Sequence, residues 1–210
     1  LHVCDGTGAL AGRCYHGVGH GLMFYFNNDL PTALTTCDTY KENDPSSPRN
    51  HCYEGVFMQN FLSDPDAPLV LPSKYLDPKN PFYPCGTESA KFKPYCYFYA
   101  PILFLNLHND DYSAALSWCN SAERDGILAC VRGVGSLTMK YNIKDPVYVE
   151  SICMQATPAE IPSCIDGMVS YYLTFSFSSE STKNMCLQLQ TQDQPDCMKA
   201  IKRRVNDFVD

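Results

Sequence analysis

Several familiar signatures of chemistry are missing from this chain. It has no Cys-x-x-Cys, no Gly-x-Ser-x-Gly, no Walker-type phosphate loop and no Gly-x-Gly-x-x-Gly following a strand-like run. Compact zinc knuckles and c-type haem attachment therefore lack local support, as do a serine-hydrolase elbow and the common nucleotide loops. Long apolar runs are also missing. The longest, Tyr97 to Leu107, contains Pro101 and Asn106 and falls short of the roughly 20 residues a membrane-spanning helix needs. Basic residues are scarce, 16 Lys and Arg against 23 Asp and Glu, for a formal charge of −7. Without a broad basic face, nucleic acid is excluded as the default partner. The one basic cluster, Lys199, Lys202, Arg203 and Arg204, reads as the solvated face of the last helix. The chain opens on Leu1 rather than Met and shows no signal-peptide pattern, the expectation for a processed or truncated product.

What is abundant is cysteine. Twelve cysteines stand at Cys4, Cys14, Cys37, Cys52, Cys85, Cys96, Cys119, Cys130, Cys153, Cys164, Cys186 and Cys197, with successive differences of 10, 23, 15, 33, 11, 23, 11, 23, 11, 22 and 11. An even, regularly spaced set points to disulfides and to an oxidising compartment: extracellular, cell-surface or periplasmic. Apart from one expanded copy the frame repeats at a period of about 34 residues, a spacing that signals helical arrays.

Aligned on their cysteines, the copies predict two helices each. A long A helix follows the second cysteine of each pair: Cys14–Phe26, Cys52–Leu62, Cys96–Leu107, Cys130–Tyr141 and Cys164–Phe177. Short B helices are expected over Ala33–Tyr40, Tyr112–Ser121, Val147–Gln155 and Glu180–Leu189. N-cap candidates Asp29, Asp111, Asp145 and Ser178 stand eight residues before a closing cysteine, where their side chains can accept from unpaired backbone N–H groups. Pro146 suits a first helical position, and Pro94, Pro162 and Pro195 mark where A helices begin. Pro101 should kink or delay the third A helix. Glycine recurs three residues after the A-helix cysteine, as Gly17, Gly55, Gly133 and Gly167. A residue that weakens helices by about 1 kcal/mol and yet recurs predicts close helix approach there.

This layout of paired helices, small residues at helix contacts and one cysteine pair per unit resembles the tetratricopeptide repeat and its disulfide-bearing helical relatives. The resemblance covers nearly the whole chain, is architectural, and carries no functional residue over. It implies a non-catalytic binding scaffold. The expected fold is all-α: one right-handed helical-hairpin solenoid over residues 1–210, stapled by about six disulfides. Its repeats run 4–37, 37–85 (with a proline-rich insertion at 63–84), 85–119, 119–153 and 153–186, followed by a terminal half-repeat at 186–210.

Two disulfide ladders fit the frame. One closes the short loops, 4–14, 37–52, 85–96, 119–130, 153–164 and 186–197. The other clamps each helical hairpin, 14–37, 52–85, 96–119, 130–153 and 164–186, and leaves Cys4 and Cys197 to join subunits head to tail. The first is favoured because it uses all twelve cysteines.

Candidate function lies where the chain departs from its repeat. In Cys14–Gly21, CYHGVGHG, His16 and His20 have no counterparts in the other copies. On a helix they share a face at i and i+4, a spacing that can chelate zinc, copper or nickel. Glu54 and Met58 occupy the matching positions of the next A helix and can complete a site. The zinc-protease motif has Glu where Gly17 stands, so protease chemistry is not expected. The alternative is a pair of histidines hydrogen-bonded in a glycine-rich helix contact. His2, His51 and His108 read as surface or boundary residues. The second departure, Ser63 to Pro84, holds six prolines in 22 residues; it should lack a regular helix. Its apolar residues, among them Leu69, Tyr75, Phe82 and Tyr83, either cover the chain's own surface or reach a partner. Third, neither end shows a complete capping repeat, which suits end-to-end association into filaments or removal of flanking repeats from a longer parent.

The function expected from this reading is an extracytoplasmic binding or assembly scaffold without catalysis, either a ligand-binding solenoid or a self-associating subunit. Its partner would be a protein or another copy of the chain, with no nucleic acid and no membrane span. The alternative is a metal-binding protein or metalloenzyme holding zinc or copper at His16 and His20.

Overall fold

The computed structural model describes residues 3–4, 7, 10–40, 48–62 and 73–204. All regular structure among them is helical, and the chain divides into two compact units, Leu1–Tyr99 and Ala100–Asn206. Unit 1 holds α1 (Ala11–Tyr25), α2 (Leu30–Cys37), α3 (Pro48–Phe61) and α4 (Lys93–Tyr99), with a 3-10 turn at Cys85–Thr87. Unit 2 holds α5 (Pro101–Leu107), α6 (Tyr112–Cys119), α7 (Ile127–Tyr141), α8 (Pro146–Cys153), α9 (Ile161–Ser176), α10 (Ser179–Cys186) and α11 (Gln194–Arg204).

The unit boundary falls inside the single helix expected over Cys96–Leu107. Pro101 lacks an N–H and its ring crowds the carbonyl four residues back, so α4 ends at Tyr99 and a new helix starts at Pro101. The short helices form where expected. Asp111, Asp145 and Ser178 each accept from a backbone N–H in the first turn, those of Ala114, Tyr148 and Ser181. Asp29 does not. Its carboxylate is engaged elsewhere, accepting from the Thr32 hydroxyl and from Tyr75 Oη at 2.9 Å and lying 3.3 Å from Lys74 Nζ.

Six disulfides join Cys4–Cys14, Cys37–Cys52, Cys85–Cys96, Cys119–Cys130, Cys153–Cys164 and Cys186–Cys197. This is the ladder of short loops, and the hairpin-clamping alternative is excluded: no cysteine, Cys4 and Cys197 included, is free. Four of these bonds tie the last residue of a short helix (Cys37, Cys119, Cys153 or Cys186) to the first turns of the next helix. All the bonded cysteines except half-buried Cys14 are buried, so the covalent frame is also part of the apolar core.

Each unit is built on one pair of long helices, α1 against α3 in unit 1 and α7 against α9 in unit 2. On α7 the apolar positions Cys130, Val131, Val134, Leu137 and Thr138 repeat with helical spacing and are buried, as are Cys164, Ile165, Met168, Val169 and Leu173 on α9. In unit 1, Met23, Val56, Phe57 and Phe61 play this part, joined by Leu30 and Leu34 from α2. Glycines set the distance between the paired helices. A Cβ on Gly55 would stand 1.9 Å from the His16 carbonyl oxygen, and one on Gly19 2.2 Å from that of Cys52. Unit 2 repeats the arrangement, with Gly167 against the Arg132 carbonyl at 1.9 Å and Gly135 against that of Cys164 at 2.1 Å. Gly17, expected at a contact, has nothing within 4 Å of its Cβ direction. The contact on the first helix of the pair lies two residues later, because two crossing helices present different phases of the same cysteine frame.

Unit 2 also buries Glu150, whose side chain belongs to a residue only 1% exposed. Its Oε1 accepts from the Gln190 N–H at 2.8 Å, but among the described residues no N–H or hydroxyl donor reaches Oε2 or Oδ2 of buried Asp193. Burial raises the Glu150 carboxyl above its usual range; the Gln190 N–H opposes this and Asp193 adds to it. A carboxyl raised in the folded state binds more protons folded than unfolded, so its contribution is present at low pH and lost as pH rises through the folded value. Glu150→Gln keeps the acceptor for Gln190 and offers an N–H to Asp193. It should stabilise the protein at pH 7 by about 1 kcal/mol and flatten the pH dependence above the usual carboxylate range, both readable from denaturant melts.

Candidate functional site

Both histidines of CYHGVGHG lie on α1, one turn apart, on the side that meets α3. Their Nε2 atoms face each other at 3.1 Å, with ring centroids 4.9 Å apart. The outer nitrogens are met by α3. His20 Nδ1 lies 2.8 Å from Gln59 Oε1, and His16 Nδ1 lies 4.0 Å from Glu54 Oε2. Glu54 Oε2 also takes His51 Nδ1 at 3.1 Å. Burial pushes His16 down to about 4; the Glu54 carboxylate opposes this, while His20 and His51 add to it. The Tyr99 ring closes one side, 6.4 Å from the His16 ring.

Glu54, at the matching position of the next A helix, thus stands beside His16. Met58, one turn further along α3, is half-buried, and the side chain that reaches His20 is its neighbour Gln59. His51, read as a boundary residue, belongs to the cluster; its i, i+3 relation to Glu54 on one helix was the signal for it. His108 stays outside, stacked on Phe104 at 4.1 Å, and His2 lies outside the described residues. Among the described residues no group of three or more His, Cys, Asp or Glu side chains is placed to hold one metal ion together.

Unit 2 shows what the same positions do in a purely structural setting. Arg132 and Asp166 follow Cys130 and Cys164 by two residues, as His16 and Glu54 follow Cys14 and Cys52. There Arg132 Nε lies 3.3 Å from Asp166 Oδ2, while Arg203 and Arg204 Nη2 donate to Oδ1 at 2.9 Å and Oδ2 at 2.7 Å. Two members of the basic cluster assigned to a solvated face thus hold a buried carboxylate, a role visible only once α11 is laid on α9.

The described part of the proline-rich insertion is fastened to unit 1. Ser73 Oγ donates to Asn60 Oδ1 at 2.6 Å, and Asn60 Nδ2 donates to the Tyr75 carbonyl at 3.2 Å. Tyr75 donates to Asp29, and the Phe82 ring packs edge-on against buried Tyr97, centroids 5.5 Å apart. Tyr83 is half-buried before Pro84. Leu69, with the rest of residues 63–72, lies outside the described residues.

A second surface comes from unit 2. Tyr141, Phe175 and Phe177 are 60%, 59% and 57% exposed, with Val147 and Tyr148 also largely in solvent. A groove of about 330 Å³ runs between Ile143, Lys144, Pro146, Tyr172, Phe175, Met185 and Gln188, in the size range of small-ligand sites. Phe177 follows α9 with φ 51°, a left-handed conformation that costs a residue with a Cβ about 1–2 kcal/mol.

No described helix is long and apolar enough to cross a membrane, and six disulfides suit an oxidising location. The chain matches no protein-family model, no curated protein and no solved structure.

Proposed function

We propose that this chain is a non-catalytic binding scaffold of an extracytoplasmic compartment, a helical-hairpin solenoid with a period of about 34 residues that presents its aromatic face to a protein partner. A further copy of the chain is the partner taken first. The exposed aromatic rings of unit 2 carry this reading: Tyr141, Phe175 and Phe177 keep more than half of their surface in solvent, as expected where a partner later covers them. Phe175 also lines the groove, and Lys144 supplies a charged group there. The disulfide frame fits the same role, since it holds the helices that carry the patch rigid and so lowers the ordering cost of association.

Phe177→Gly separates stability from function. It relieves the left-handed strain and should raise stability by about 1 kcal/mol, while weakening association; Phe175→Ser should weaken association alone. Sedimentation velocity over a concentration series reads self-association, and a photo-crosslinker placed at position 175 in the native medium reads capture of another protein. Self-association lost in both variants supports the assembly reading, and a crosslink abolished by Phe177→Gly supports the binding reading. Association indifferent to both substitutions, together with crosslinking indifferent to Phe177→Gly, would sink the proposal.

A further inference from the structure

We infer that His16 and His20 form a two-histidine half-site for a late first-row divalent ion, of the zinc, copper or nickel class, with both Nε2 atoms as ligands and water in the remaining positions. The argument begins with protons. Gln59 Oε1 is an acceptor 2.8 Å from His20 Nδ1, so the His20 proton sits on Nδ1 and its Nε2 presents a lone pair. His16 Nδ1 lies 4.0 Å from Glu54 Oε2, too far for a hydrogen bond, but the carboxylate charge favours a proton on that nitrogen, which likewise leaves Nε2 bare. Two bare nitrogens 3.1 Å apart repel each other unless a cation takes both lone pairs. Were the contact instead a hydrogen bond, His16 would carry its proton on Nε2 and turn an unprotonated Nδ1 toward the Glu54 carboxylate.

The distances suit a metal. An ion about 2.05 Å from each nitrogen sees them roughly 100° apart, between tetragonal and tetrahedral geometry. The His20–Gln59 contact has the form usual for a ligating histidine, in which an oxygen acceptor fixes the tautomer and aims the ring. Glu54 adds negative charge behind His16, and its second contact, to His51 at 3.1 Å, holds that carboxylate in place. The His16 side chain keeps 26% of its surface exposed, which leaves solvent access for water ligands.

Comparison within the chain strengthens the inference. At the matching positions of unit 2 the helix pair is held by Arg132 on Asp166, with the same glycine-to-carbonyl contacts beside it. A helix contact of this kind therefore needs no histidine. Unit 1 has replaced the guanidinium by an imidazole that turns its Nε2 toward a second imidazole rather than toward the carboxylate.

The test is titration of the disulfide-bonded protein, stripped with EDTA, with Zn(II) and Ni(II) in a calorimeter, alongside electron paramagnetic resonance of the Cu(II)-loaded protein. One ion per chain is expected, with a Cu(II) spectrum showing two imidazole nitrogens. His16→Ala and His20→Ala should each weaken binding at least tenfold. Gln59→Leu should weaken it about 10- to 100-fold, and His108→Ala should leave it unchanged. Thermal melts check that each variant folds, and the spectrum of the unaltered protein stands without any variant. No binding, binding that survives His20→Ala, or a Cu(II) spectrum without two imidazole nitrogens would overturn the inference.

Discussion

Treated with excess reductant and alkylated at neutral pH, the chain is expected to lose its helical circular dichroism at 25 °C, with no denaturant present. Each disulfide closes a loop of 10 to 15 residues, and such a closure is worth about 3 kcal/mol. Three or four of them equal the whole net stability of an ordinary domain, about 5–15 kcal/mol. The packing offers little reserve, because the short helices are only 7 or 8 residues long, below the length at which helices persist alone. Replacing one pair, Cys153 and Cys164, by alanines should lower the unfolding free energy by about 3 kcal/mol, measurable by urea melts. A fully reduced chain that kept its native spectrum would show that apolar packing alone carries the fold.

The second large effect is at the glycines between the long helices. Gly55→Ala and Gly167→Ala should each destabilise by about 3 kcal/mol or more. Their new methyl groups would meet backbone carbonyls at 1.9 Å, and backbone cannot step aside as a side chain end can. Gly17→Ala and Gly21→Ala are the controls. Both glycines are exposed with open space at the Cβ position, so alanine there should gain up to about 1 kcal/mol through helix propensity. Thermal melts of the four variants read the contrast directly. Equal effects at Gly17 and Gly55 would mean that the helix pairs are set by something other than glycine contacts.

Much of this was legible in the cysteine spacing, because disulfide geometry and helix length together restrict where a half-cystine can stand. The short helices, their aspartate and serine caps and the break at Pro101 all follow from local rules that act within one turn. What escaped was contact across helices. Gly19 rather than Gly17 meets the neighbouring helix, and Gln59 rather than Met58 reaches His20, each an offset of one or two residues. A crossing angle shifts the register between two helices by that amount, and no single-helix periodicity encodes it. Asp29 failed as a cap because Tyr75, 46 residues away, claims its carboxylate. His51 and Arg204 were set aside as surface groups for the same reason: their partners come from another turn or another helix, and only the packed pair reveals them.

Every disulfide joins a cysteine to the next one along the chain. As this stretch emerges in order, the earlier cysteine of each pair therefore finds its native partner in the very next thiol to appear. A non-selective oxidant acting as the chain emerges arrives at the native set by simple succession, with no isomerase needed to undo long-range errors. Loop closure over so few residues takes well under a microsecond, whereas thiol oxidation takes seconds or longer, so the oxidant and not the chain sets the pace. Where oxidation keeps up with delivery of the chain, each segment is covalently closed before the next can interfere with it.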